Sequence, residues 1–178
     1  VLAVAVEVLG RAEVAVVARE RSPRGARDVV LWRPPVDDAD DRSTGAEAAA
    51  VTAHLALDGA QTLQFCTARQ GAEIAARQIA DAAGDHPTPG GVDVEPYHAG
   101  LGAATRRAVE TRLADATVDA VASTSALELG IDVGSVDATV SASYPGTRRS
   151  FWQQVGRAGR GTSDAHSVLV GGGGEQVV

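Results

Sequence analysis

Short apolar runs alternate with helix-forming stretches along most of this chain, and no other feature restricts its fold as much. The runs are Asp28–Trp32, Thr62–Cys66, Val92–His98, Val118–Ser123, Asp137–Ser141 and Ser167–Val170. An alanine-rich stretch from Ser43 to Leu57 separates the first two, with Glu47 in its first turn and Asp58-Gly59 to end it. Arg69–Ala83, with Ile74 and Ile79 on its apolar side, and Leu101–Ala114 separate the next. Ala126–Leu129 and Arg148–Ala158 complete the alternation. Strands joined through helices pair in parallel, and a parallel sheet needs cover on both faces. The expected architecture is therefore α/β with three layers and a mostly parallel sheet.

A length of 178 residues suits one domain with a sizeable core. Residues 1–35 read as a partial lead-in, 36–171 as the domain, and 172–178 as a glycine-rich tail or linker, with Gly171–Gly174 opening it. The acidic stretch Asp37–Asp41 reads as a solvated loop, and residues 84–91 as a Pro/Gly loop. No internal repeat is visible.

The single cysteine, Cys66, excludes an intramolecular disulfide and a four-cysteine zinc site. The most apolar stretch, at the start, is interrupted by Glu7, Arg11 and Glu13, so neither a membrane span nor a signal peptide is expected. A cytoplasmic setting follows as an expectation. Methionine is absent even at position 1, as expected of a piece of a longer protein.

All 16 basic residues are arginine, yet the net charge is −7. Adaptation to high salt and GC-rich coding both give this composition, and the first is preferred. Either way the local placement of arginines carries more information than their sum. In an open parallel sheet ligands gather at the carboxyl ends of strands. Three loops fall there: Thr67-Ala68-Arg69, the turn opened by Thr124 and Ser125, and the loop before Arg148. Hydroxyls, helix-opening amides and arginines at one edge make a phosphate-binding surface, whereas any one loop alone reads as ordinary capping. The run QQVGRAGR (153–160) adds Arg157 and Arg160, spaced i and i+3, which on a helix share a face. Paired guanidinium forks suit a phosphoryl group in transfer.

TSALELGID (124–132) followed by QQVGRAGR resembles motifs V and VI of superfamily 2 helicases. TLQFCTARQGAE (62–73) is similar to their motif IV, and YHAGL (97–101) to the element before motif V. SYPGTRRSFWQQVGRAGR and SPRGARDVVLWRPP look like the Lhr-like DNA helicases of the DEAD/DEAH-box group, in the branch with a C-terminal zinc-binding extension. The resemblance implies a RecA-like, P-loop-type fold: the second lobe of an ATP-dependent, DNA-favouring helicase engaged in DNA repair or processing.

What the resemblance implies for residues is specific. Arg160 matches the finger that reaches the γ-phosphate of ATP, and Arg157 its companion. Gln153 takes the first position of motif VI and couples the ATP site to the nucleic acid. Gly130 and Asp132 match positions beside the nucleotide. Thr67, Arg69, His98, Gly100, Thr124 and Ser125 match contacts to the strand backbone, with Ser125 standing where relatives usually carry Asn or Asp. Implied partners are single-stranded or partly duplex nucleic acid and the first RecA-like lobe of the same polypeptide. ATP with Mg is the implied cofactor, held largely by that lobe.

Other readings stay open beside it. Arg106, Arg107 and Arg112 line either the nucleic-acid side or a solvated helix face. Trp152 either packs or stacks on a base. Neither a GxxxxGK(S/T) loop nor an acidic metal motif is present, so the isolated chain is expected to lack ATPase activity. A non-catalytic nucleic-acid-binding or interaction module is the alternative. A Rossmann-type domain is disfavoured because no GxGxxG follows a first strand, and the four histidines show no metal-ligand spacing.

Overall fold

The computed structural model describes residues 25–34, 43–84, 91–128, 136–159 and 163–171. Among them, β1 (Arg27–Trp32), β2 (Thr62–Phe65), β3 (Val94–Tyr97), β4 (Ala120–Ser123), β5 (Ala138–Ala142) and β6 (Ala165–Val170) form one sheet in the order β1-β6-β5-β2-β4-β3. Every pair in it is parallel. The expected mostly parallel sheet is thus wholly parallel within the described residues. The helices are α1 (Thr44–Leu57), α2 (Arg69–Gly84), α3 (Ala103–Ala114) and α4 (Arg148–Val155), with a 3-10 turn at Ser125–Leu127.

Residue alternation along the strands decides which helix goes where. Ala120 and Ala122 of β4 pack with alanines of α1 and α2, and Ile79 joins them. The intervening Val121 points the other way, into a cluster with Leu63, Phe65, Val109 and Leu113. So α1 and α2 cover one face, while α3 takes the other together with α4, whose Gln154 meets Ser141 of β5. Alanine at the α1–α2–sheet junction lets the backbones approach closely without voids.

Local chemistry sets the helix ends. Ser43 caps α1 by accepting from the Ala46 amide at 3.2 Å, and Gly59 leaves it at φ +87°. Two expectations fail here. Ile74 is 45% exposed, because α2 buries Ala72, Ala75, Ala76, Ile79 and Ala83 and so turns Ile74 outward. The last helix stops at Val155 instead of Ala158. Its amides tighten (Arg157 N to Gln154 O 3.0 Å, Ala158 N to Val155 O 3.2 Å) before Gly159, at φ +104°, turns the chain away. Arg157 therefore leaves from a turn and not from the helix.

Gly130, Asp132 and Arg160 lie outside the described residues, as do the lead-in to residue 24 and the tail from 172. Cover also thins toward β1, where every residue is exposed, Val29 and Leu31 included. Among the described residues no helix is long and apolar enough to cross a membrane.

Candidate nucleotide and nucleic-acid interface

Strands β2 and β5 are neighbours, but the loop after β2 leads to α2 on one face and the loop after β5 to α4 on the other. Diverging loops open a crevice at the carboxyl edge of a parallel sheet. A cleft of about 350 Å³ lies there, lined by Phe65 at the end of β2 and Thr67 in the loop after it, Ser125 and Glu128 from the turn after β4, Ser143 just past β5, and Gln154. Ser143 holds φ +78°, a left-handed conformation that a non-glycine residue adopts at a cost, and its amide is fixed to the Val170 carbonyl at 3.0 Å.

The residues read from sequence fall into three groups. Arg69, His98 and Gly100 meet at one corner. His98 Nδ1 accepts from the Gly100 amide at 3.1 Å, and its Nε2 lies 2.9 Å from Glu73 Oε1, which assigns the ring proton to Nε2. With both nitrogens engaged, the ring organises the turn. A Cβ at position 100 would stand 3.0 Å from His98 Nδ1 and 3.6 Å from Arg69 Cδ, so a larger residue would press on the imidazole that holds the turn.

Thr67 and Ser125 form the second group, both exposed on the cleft. Thr124 turns inward instead; its hydroxyl accepts from the Ala126 amide at 3.4 Å and caps the 3-10 turn. The accessible hydroxyl of that pair is Ser125.

Arg157 anchors the third group. Its Nη2 donates to the Glu128 carbonyl at 2.9 Å. The turn holding it is fixed by backbone bonds from Val136 N to Arg157 O (3.0 Å) and Gly159 N to Val136 O (2.8 Å). Arg27 Nη2 donates to Ala158 O at 3.0 Å, and a Cβ on Gly159 would stand 3.1 Å from that of Ala165. Gln153 sits partly buried on α4.

Sequence reasoning missed the link between the second and third groups. Gln154 is 4% exposed and Glu128 9%. Ser141 Oγ donates to Gln154 Oε1 at 2.7 Å, and Gln154 Nε2 donates to Glu128 Oε1 at 2.5 Å. Glu128 thus receives α4 on its side chain and Arg157 on its carbonyl. The available signal was helical phase, since Gln154 shares the inner face with Val155 and Phe151.

Arg112, read from sequence as lining either the nucleic-acid side or a solvated face, lies away from the carboxyl edge. It pairs with Asp93 and Glu95 and donates to Thr117 O at 3.1 Å, all at the opposite end of the sheet. Tyr97 donates to Glu110 at 2.5 Å; burial, then that carboxylate, pushes its hydroxyl up to about 12. Cys66 has its thiol pushed up to about 11 by burial, opposed weakly by a hydrogen bond from Gln64. Two units below its ordinary acidity, the native thiol at neutral pH is expected to react with iodoacetamide about 100-fold slower than in the urea-unfolded chain. Rates followed by intact mass test this; equal rates would refute it.

Residues 47–162 match the family described as helicase conserved C-terminal domain. ATP-dependent helicase HRQ1 of Saccharomyces cerevisiae is 32% identical over 168 residues, covering 92% of this chain and 16% of the yeast protein. Among solved structures, the helicase MrfA bound to DNA is similar with TM-score 0.74 and 31% identity, covering 82% of this chain and 20% of that one. The helicase Lhr of Mycobacterium smegmatis, bound to single-stranded DNA and AMP-PNP, gives TM-score 0.67 and 27% identity over 83% of this chain and 20% of its own. The chain thus spans about a sixth to a fifth of these relatives. With its parallel sheet, edge cleft and arginine turn, it belongs to the helicase conserved C-terminal domain family of superfamily 2 and is a RecA-like lobe of that kind.

Proposed function

We propose that this lobe works as the second half of an ATP-dependent DNA helicase. It holds the strand backbone along its carboxyl edge and presents Arg157 and Arg160 to ATP bound mainly by a first lobe. The observation that carries this reading is the double tie at Glu128: its carbonyl receives Arg157 and its carboxylate receives α4, one turn from Thr124 and Ser125. A change at the strand-binding turn therefore reaches the arginine turn through two hydrogen bonds.

Fit to ATP can be judged at Arg157. Its guanidinium is oriented by the bond from Nη2 to the Glu128 carbonyl, and arginine keeps its planar, delocalised charge in this role. Bound ATP with Mg supplies a transferable γ-phosphoryl group. The protein supplies fixed positive charge where negative charge develops, and it needs no proton transfer for that. Gly130, Asp132 and Arg160 complete the nucleotide side in this proposal, and Thr67, Arg69, Gly100 and Ser125 the strand side. Contacts of the second kind position a strand without reading its sequence.

The test has two arms. The chain alone is expected to bind labelled single-stranded DNA weakly, with an affinity falling linearly in log–log plots against salt, and to show no magnesium-dependent ATP turnover. Joined to a lobe that carries a phosphate-binding loop, it is expected to turn over ATP in a DNA-stimulated way. Strand binding without turnover in the joined protein would make the chain a non-catalytic binding module instead. Turnover by the chain alone would refute the division of labour.

A further inference from the structure

The stretch from Ala138 to Ser163 contains no Asp or Glu, although the whole chain carries 23 acidic residues and a net charge of −7. It contains four arginines: Arg148, Arg149, Arg157 and Arg160. Its described part also displays aromatic surface. Tyr144 is 42% exposed and Trp152 is 53% exposed. Phe151 bridges them, 6.2 Å from the Tyr144 ring and 5.4 Å edge-on to Trp152. Arg148 and Arg149 open α4 and are both exposed.

Burial does not explain this surface. The helix satisfies its core demand with Gln154 and Val155 on the opposite side, leaving Trp152 facing outward. Position does explain it. Ser143, Pro145 and Ser150 form one wall of the cleft whose other walls are Thr67 and Ser125. The aromatic and arginine surface therefore continues the carboxyl edge assigned above to the strand backbone.

We propose that Tyr144 and Trp152 form a stacking platform for the unpaired bases of a single strand, with Arg148 and Arg149 holding the phosphates on either side. The proposal rests on the strand-binding reading and adds to it a contact with bases. Every base offers a π-face, so such a platform adds affinity without sequence preference. Guanidinium groups on a stretch of chain without acidic residues suit a polyanion, and Glu128, which lines the adjoining cleft, is engaged by Gln154.

Trp152 supplies its own probe. The only other indole, Trp32, ends β1 on the same edge of the sheet, two strands from β5, and donates to Glu47 of α1; Trp32→Phe removes it and makes Trp152 the sole reporter. In that background, titration of the chain with an oligothymidylate of about 15 nucleotides is expected to quench the emission by about half at saturation. Trp152→Ala is expected to weaken binding, read by anisotropy of a labelled strand, by about 10-fold, and Trp152→Phe to keep most of it. Arg148→Glu with Arg149→Glu is expected to flatten the salt slope by ~1.4.

An anisotropy change without quenching, and with Trp152→Ala at full affinity, would overturn the platform and leave backbone binding standing. No anisotropy change at all would overturn both. A change in Trp152 emission on adding a separate first lobe without any strand would assign the face to that lobe instead.

Discussion

Replacing Arg160 by alanine in a polypeptide that joins this lobe to a phosphate-loop lobe is expected to lower kcat for ATP by ~10³-fold, with KM and strand affinity nearly unchanged. The reason is timing. A guanidinium placed against the transferring phosphoryl group meets its largest charge only in the transition state, so ground-state binding loses little. Arg157→Ala is expected to slow turnover too, but with a second signature. It also removes the donor to the Glu128 carbonyl, and the fold loses about 1 kcal/mol in a urea titration. Arg157→Lys keeps the charge and loses the planar fork, so it should recover less than half of the lost rate in logarithmic terms. Steady-state kinetics beside denaturation separate the two arginines. Equal kcat for wild type and Arg160→Ala would remove the finger assignment.

Gln154→Glu is expected to destabilise the lobe by about 3 kcal/mol, because it sets a second carboxylate against the buried one of Glu128. The double variant Glu128→Gln with Gln154→Glu is expected to recover most of that loss. In it, residue 128 donates and residue 154 accepts, while the Ser141 hydroxyl still finds an oxygen, so each hydrogen bond survives with its direction between 128 and 154 reversed. Urea midpoints for the singles and the double close a cycle. A double variant no better than Gln154→Glu would mean that the pair is not energetically coupled.

Much of the scaffold was legible in the sequence, for reasons that stay local. Ser43, Glu47 and Asp58-Gly59 mark the ends of α1 as read, and in the structure Ser43 does so as the cap and Gly59 as the turn that leaves the helix. The apolar runs mark β2, β4 and β5 because a parallel strand buried on both faces has little room for polar residues. Ends trimmed by one or two residues, as at Val92–His98 against Val94–Tyr97, reflect strand ends that the ladder leaves unpaired.

What stayed hidden depended on tertiary partners. Ile74 looks like core by hydrophobicity, yet the alanine face of α2 packs more closely against α1 and rotates it out. Gln154 looks like a surface residue and is buried, since Ser141 and Glu128 stand ready to satisfy its amide. The end of α4 was misread because GRAGR continues a helical pattern on paper, whereas pairing of the turn with Val136 competes for those amides and wins. Within the site, the exposed hydroxyl proved to be Ser125, while Thr124 spends its own on a cap.

One contact on the far side of the sheet has a mechanical meaning. Arg27, at the start of the edge strand, closes on the Ala158 carbonyl beside the arginine turn. The same turn leans on Ala165 at the start of β6 and is laced to Val136. These contacts tie the strand to the base of the guanidinium. In the two-lobed helicase proposed above, rotation of one lobe against the other would carry Arg157 with the edge strand, as on a lever, without any loop having to refold.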